Sequence, residues 1–86
     1  ITFPAPDTEA EDDRLSYELR KNDTYAFFAI QIVGEQKDMP YKLLKKGKTL
    51  RNKGLKAKDS SRNEEAIANF RNSTEYFISA IRALDQ

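Results

Sequence analysis

The sequence predicts a small all-α protein, an antiparallel bundle of three helices built on an αα-hairpin. Three observations lead there. Leu43, Gly47, Leu50, Gly54 and Ala57 recur at intervals of four and three, which places them on one stripe of a helix over residues 40–58. Ala66, Phe70, Ser73, Phe77, Ala80 and Leu84 repeat the same spacing over residues 63–84, with Ile67, Thr74, Ile78 and Ile81 widening the stripe toward a core. Only residues 24–33 have strand-like composition, and a lone strand has nothing to pair with.

Taken in order, residues 1–8 contain Pro4 and Pro6 and read as an extended lead-in, with Phe3 a candidate to dock on the body. Thr8 and Glu11 fit a capping box, and the acids that follow suit the positive end of a helix dipole. A helix is expected from about Glu9 to Val33, with Leu15, Leu19, Ala26, Ile30 and Val33 on its inner stripe and Tyr25 and Phe28 beside it. Asn22 and Asp23 could break or recap this helix, which would make the bundle four-helical. Gly34 reads as a stop, residues 35–39 as a loop, and Pro40 as an opening residue of the second helix. Asp59, Ser60 and Ser61 make a polar turn before the last helix, whose first turn holds Glu64 and Glu65.

With 86 residues there is room for one domain, here residues 9–86. The chain opens at Ile1, so it is expected to be a piece of a larger intracellular protein. It contains no cysteine and no histidine. That removes disulfides, thiolate metal sites, the commonest general base and the strongest nucleophile. The acids at 7–13 lack the turn glycine and terminal glutamate of a calcium loop. No catalytic residue, cofactor or metal site is expected, and an enzyme is the weakest class. No apolar run is long enough to span a bilayer. The sequons at Asn22 and Asn72 read as chance in a cysteine-free chain. The expected setting is the cytoplasm, with the nucleus or a membrane periphery open.

Net charge is only +1, yet the charges are segregated. Asp7, Glu9, Glu11, Asp12 and Asp13 precede the first base of the chain, Arg14. Lys42, Lys45, Lys46, Lys48, Arg51, Lys53, Lys56 and Lys58 follow one another without an acid. Such a run reads first as a solvated helix face and second as an anion-binding one. No aromatic is interleaved to stack bases, which argues against single-strand recognition.

The two glycines in the 40–58 stripe are the feature in most need of a reason. A glycine inside a helix costs about 1 kcal/mol against alanine. Gly47 and Gly54 on one face, with Leu50 between them, imply close approach of a second backbone. Ala66, Ser73 and Ala80, with Phe70, would form the opposite wall of an antiparallel hairpin.

Gly54, then Ala66, Phe70 and the small Ser73, resembles the core spacing of a tetratricopeptide hairpin, with Leu50 where that repeat prefers Trp and Ala57 where it prefers Tyr. The pair Leu43-Leu44-Lys45-Lys46-Gly47 and Asn63-Glu64-Glu65-Ala66-Ile67-Ala68-Asn69-Phe70, continued by Tyr76-Phe77-Ile78-Ser79-Ala80-Ile81, looks more like a microtubule interacting and trafficking domain. This likeness covers about residues 40–84. That family places its third helix after the hairpin, whereas here the third layer must come from residues 9–33. The Lys-rich helix before an Ala- and aromatic-rich one is similar, in second place, to the C-terminal homology domain of AF4/FMR2-family scaffold proteins. These resemblances imply an adaptor in protein transport or scaffolding.

The expected function is therefore non-catalytic protein binding. A partner's amphipathic or acidic helix would lie in a groove between the N-terminal helix and the hairpin. Tyr25, Phe27, Phe28, Tyr76 and Ile78 are the candidate apolar contacts, and Lys45, Lys53 and Lys56 the readers of acidic groups. Six aromatics (Tyr25, Phe27, Phe28, Phe70, Tyr76 and Phe77) exceed what inward stripes hold, leaving Phe27 and Tyr76 as overflow. Two alternatives stand beside this reading. The basic helix could contact nucleic acid or anionic lipid, or the overflow aromatics could join two copies into a homo-oligomer.

Overall fold

The computed structural model describes residues 10–34 and 38–84. They form three helices: α1 (Glu11–Val33), α2 (Met39–Asp59) and α3 (Asn63–Ala83). The described residues are all-α, and the helices pack on one another as a bundle, with α3 against both α1 and α2. The bundle is thin, 38 × 27 × 16 Å, because α1 and α2 flank α3 and touch each other only slightly.

α1 runs through Asn22 and Asp23 without a break, so the bundle has three helices among the described residues rather than four. Residues 24–33 are helical despite their β-branched and aromatic content, because burial against α3 overrides a weak local preference. Glu11, Asp12 and Asp13 fill the first turn. Ala10 stands in the N-cap position with no side-chain bond, while Thr8, the other half of the expected capping box, lies outside the described residues together with the 1–8 lead-in. Gly34 ends the helix with φ 65°, and its N–H donates to the Ile30 carbonyl at 3.2 Å.

α2 begins one residue before Pro40, which sits in the first turn where its missing N–H is not needed. The α2–α3 turn closes when the Arg62 N–H donates to the Ala57 carbonyl at 2.8 Å, with Ser61 in a left-handed conformation at φ 61°.

The core has two apolar clusters with a polar layer between them. Ala26, Ala29, Val33, Leu44, Phe77 and Ala80 form one. Leu15, Ala57, Ala66, Ile67 and Phe70 form the other. Between them along each helix lie Asn22, Arg51 and Thr74. Asn22 has no exposed surface. Its amide nitrogen donates to the Phe70 carbonyl at 3.3 Å and to the Thr74 hydroxyl oxygen at 3.1 Å. Its oxygen accepts from the Arg51 guanidinium at 2.6 Å, which also pairs with Asp23 at 2.6 Å. All three helices are therefore tied at one level, and among the described residues no buried side-chain nitrogen or oxygen lacks a partner.

The glycines do something other than the backbone-to-backbone contact expected of them. Each makes room for a phenylalanine ring. A Cβ on Gly47 would stand 2.7 Å from Phe77 Cδ1 and Cε1, and a Cβ on Gly54 would stand 2.7 Å from the same two atoms of Phe70. Phe70 and Phe77 are wholly buried. Small-residue contact does occur between these seats, where the Ser73 hydroxyl donates to the Gly47 carbonyl at 2.5 Å. Each ring thus presses on α2 at a glycine, and the hairpin register is fixed at two points one glycine spacing apart.

Candidate protein-binding groove

Sinking α2 onto the two rings determines what is left outside. Leu44 and Arg51 turn toward α1, and Gly47 and Gly54 toward α3. Leu50 falls on the edge away from α1 and stays half-buried. It floors a groove between α2 and α3 of about 560 Å³, lined by Lys42, Lys45, Lys46, Thr49, Leu50 and Tyr76. A second hollow of about 440 Å³ adjoins it, bounded by Leu50, Asn72, Glu75, Tyr76 and Ser79. Leu50 and Tyr76 are common to both, so together they form one trough along the hairpin. Lys46 Nζ lies 5.7 Å from the Tyr76 ring centroid, a cation–π distance that holds the ring at the groove wall.

The electrostatics of the trough follow from how the arginines are used. Every ion pair among the described residues takes its cation from arginine: Arg14–Glu64, Arg51–Asp23, Arg62–Glu65 and Arg71–Glu18. Among the described residues no lysine of α2 is in an ion pair. Lys42, Lys45, Lys46, Lys53 and Lys56 are exposed along the outer side of that helix, an un-neutralised positive stripe beside an apolar floor. The Arg14 guanidinium, hydrogen-bonded to Glu64, holds that carboxyl below its ordinary value, with a smaller opposing effect of desolvation.

The residues expected to share one groove are divided by the fold. Tyr76 and Lys45 line the α2–α3 trough, and Lys53 and Lys56 continue its basic edge along α2. Tyr25 is half-buried against the Ala26 and Val33 cluster. Ile78 is half-buried one turn beyond Thr74, on the α1 side of α3. Phe27 and Phe28 sit side by side on α1, ring centroids 5.9 Å apart and edge-on at 71°. The seam between α1 and α3 is closed by Asn22 and by Glu18, which accepts two bonds from Arg71 at 3.2 and 3.3 Å.

Sequence reasoning missed the Asn22–Arg51–Thr74 layer and the part Lys42, Lys46 and Thr49 play in the trough. The signal for Asn22 was present, since it stands seven residues after Leu15 and four before Ala26, in register with the buried stripe. Its burial also removes the first sequon from reach in the folded chain, while Asn72 is exposed in the middle of α3.

Among the described residues there is no group of three or more acidic, histidine or cysteine side chains placed to hold a metal ion. No described helix is long and apolar enough to cross a membrane. Set against known protein families, curated proteins and solved structures, the chain has no match.

Proposed function

We propose that this chain is a non-catalytic protein-interaction module whose α2–α3 trough receives an acidic amphipathic helix from another protein, in a trafficking or scaffold assembly. The observation that supports it is the pairing, in one trough, of an apolar floor with a lysine edge that forms no ion pair among the described residues, Glu75 standing in the adjoining hollow. Leu50 and Tyr76 would take the partner's apolar anchors at i, i+3 and i+7. Lys42, Lys45 and Lys46 would face its acidic flank, and Lys53 and Lys56 would extend that contact. Arginine's absence from this edge fits charge attraction without bidentate geometry.

The test is titration of a helical peptide carrying leucines at i, i+3 and i+7 and glutamates on one flank, against a scrambled peptide of equal charge. Tyr76→Ala is expected to weaken binding about tenfold or more, as an aromatic anchor does. Lys45→Glu with Lys46→Glu should weaken it further. Equal affinity for the scrambled peptide would reject the apolar anchoring. A second reading, contact with nucleic acid or anionic lipid, draws on the same un-neutralised lysines. It predicts an affinity that collapses by about a thousandfold between about 50 and 200 mM salt, where the peptide complex should lose far less.

A further inference from the structure

The two hollows of the trough meet at Leu50 and Tyr76, and beyond those residues they divide by helix. The larger is bounded by Lys42, Lys45, Lys46 and Thr49, all of α2, and the smaller by Asn72, Glu75 and Ser79, all of α3. Each set, with Tyr76 in the second, follows the i, i+3, i+4, i+7 spacing of a single helix face. The trough therefore has two banks, and they differ in charge. Residues 42–58 hold no acid. Residues 66–81 hold only two charged side chains, Glu75 and Arg71, and Arg71 is paired with Glu18 on the α1 side. Glu75 is exposed and in no ion pair among the described residues. The ring seats set its level. Phe77 lies on Gly47 and Phe70 on Gly54, so Glu75 stands opposite Thr49, between Lys46 and Lys53. Opposite charges thus border the trough on its two sides without bridging it.

Banks of opposite charge select a direction as well as a partner. A helix laid apolar side down along the trough can run either way, and reversing it exchanges its flanks. With anchors at i, i+3 and i+7, residues i+1, i+4 and i+8 lie on one flank and i−1, i+6 and i+10 on the other, at about 100° per residue. The hand of the bundle says which flank meets which bank. Gly47 and Gly54 turn to α3, and Leu44 and Arg51 to α1. Seen along α2 from its first residue, with α3 above, α1 lies to the right and the trough to the left. A helix parallel to α2 then shows its i+1, i+4, i+8 flank to the lysines and its other flank to Glu75. Resting on the trough reading above, we propose that the bound segment is a helix acidic on one flank and basic on the other, and that Glu75 and the α2 lysines together fix its direction. The acidic flank faces α2 and the basic flank faces α3. In the reversed pose acids would meet Glu75 and bases would meet Lys42, Lys45 and Lys46, a like-charge mismatch that rejects it. Exposed pairs contribute about twofold to fivefold each, so several together give about a tenfold preference for one direction.

The experiment uses a pair of helical peptides with leucines at i, i+3 and i+7. The first carries glutamates at i+1, i+4 and i+8 and lysines at i−1, i+6 and i+10, and the second has these charges exchanged. Each bears a nitroxide at its N-terminus, located by the broadening of amide signals of the 86-residue chain. The first peptide should broaden amides near Leu43 and Ile81, at the start of α2, and the second those near Ala57 and Ile67, at its end. Glu75→Lys, at an exposed position, should cut the preference severalfold and leave the helical circular dichroism unchanged. Broadening of the same end by both peptides, or of both ends equally by either, overturns the fixed direction and leaves the trough reading standing. A Glu75→Lys chain that keeps the full preference of the parent does the same. Failure of both peptides to bind, or broadening away from the trough, overturns the direction and the trough reading together.

Discussion

Replacing Gly54 by alanine sets two effects of known size against each other. Alanine is the better helix former by about 1 kcal/mol, so an exposed glycine in α2 would be improved by the change. At Gly54 the new methyl would stand 2.7 Å from two ring atoms of Phe70, where an ordinary carbon contact is about 3.7 Å. The ring must retreat by about 1 Å, and it is wholly buried against Ala66 and Leu15 in its cluster. Overpacking of that kind costs about 1–3 kcal/mol, which exceeds the propensity gain. The expected net loss is about 1 kcal/mol, or about 4–8 °C in Tm for a domain of this size. Gly47→Ala meets Phe77 in the same way, and the double variant should lose about 2 kcal/mol because the sites are about 10 Å apart. Thermal and urea unfolding followed by circular dichroism measures this, with Asn52→Ala on the exposed side of α2 as a control that gains stability. Phe70→Leu should rescue part of the loss in Gly54→Ala, giving a coupling of at least about 0.5 kcal/mol. A Gly54→Ala chain that melts above the parent, as the control does, would refute the ring-seat account.

Three other perturbations test separate parts of the structure. Asn22→Val should destabilise the fold by about 2 kcal/mol in urea, since it removes a buried amide that bonds all three helices. A loss of a few tenths only would show that the polar layer is incidental. Ser61→Gly should raise stability by about 0.5–1 kcal/mol by relieving a left-handed serine at φ 61°, read as a higher urea midpoint. Glu64 has its pKa lowered by Arg14, so its contribution is complete above the ordinary glutamate range and is lost as pH falls through the lowered value. Glu64→Gln should therefore flatten the acid limb of a stability–pH curve below the ordinary glutamate range and leave its slope near pH 7 unchanged.

Much of the fold could be read from spacing because a helix repeats its inner face every three to four residues. The stripes of α2 and α3, the stop at Gly34 and the turn at residues 59–61 all have local causes: periodicity, a positive φ, missing donors. Residues 24–33 were ambiguous because a short apolar run carries no period of its own. The site was less legible. Tyr25, Phe27, Phe28, Tyr76 and Ile78 are alike in chemistry, but which of them share a surface depends on how far each helix is rotated about α3. Asn22 and Asp23 could break or recap the helix as far as neighbouring residues tell, whereas the partners that bury Asn22 lie 29 to 52 residues away in the chain.

The sequence alone determined that residues 40–58 and 63–84 are helical, about where those two helices start and stop, that the chain holds no cysteine or histidine, and that one helix is basic along its length. The tertiary structure alone decided that Gly47 and Gly54 seat rings, that the trough opens on the side of the hairpin away from α1, and that Phe27 and Tyr76 lie on different surfaces. The reason is the range of the forces. Periodicity, capping and backbone sterics act within a turn or two, so they are written in neighbouring residues. A groove exists only where two helices, set by contacts distant in sequence, leave space between them.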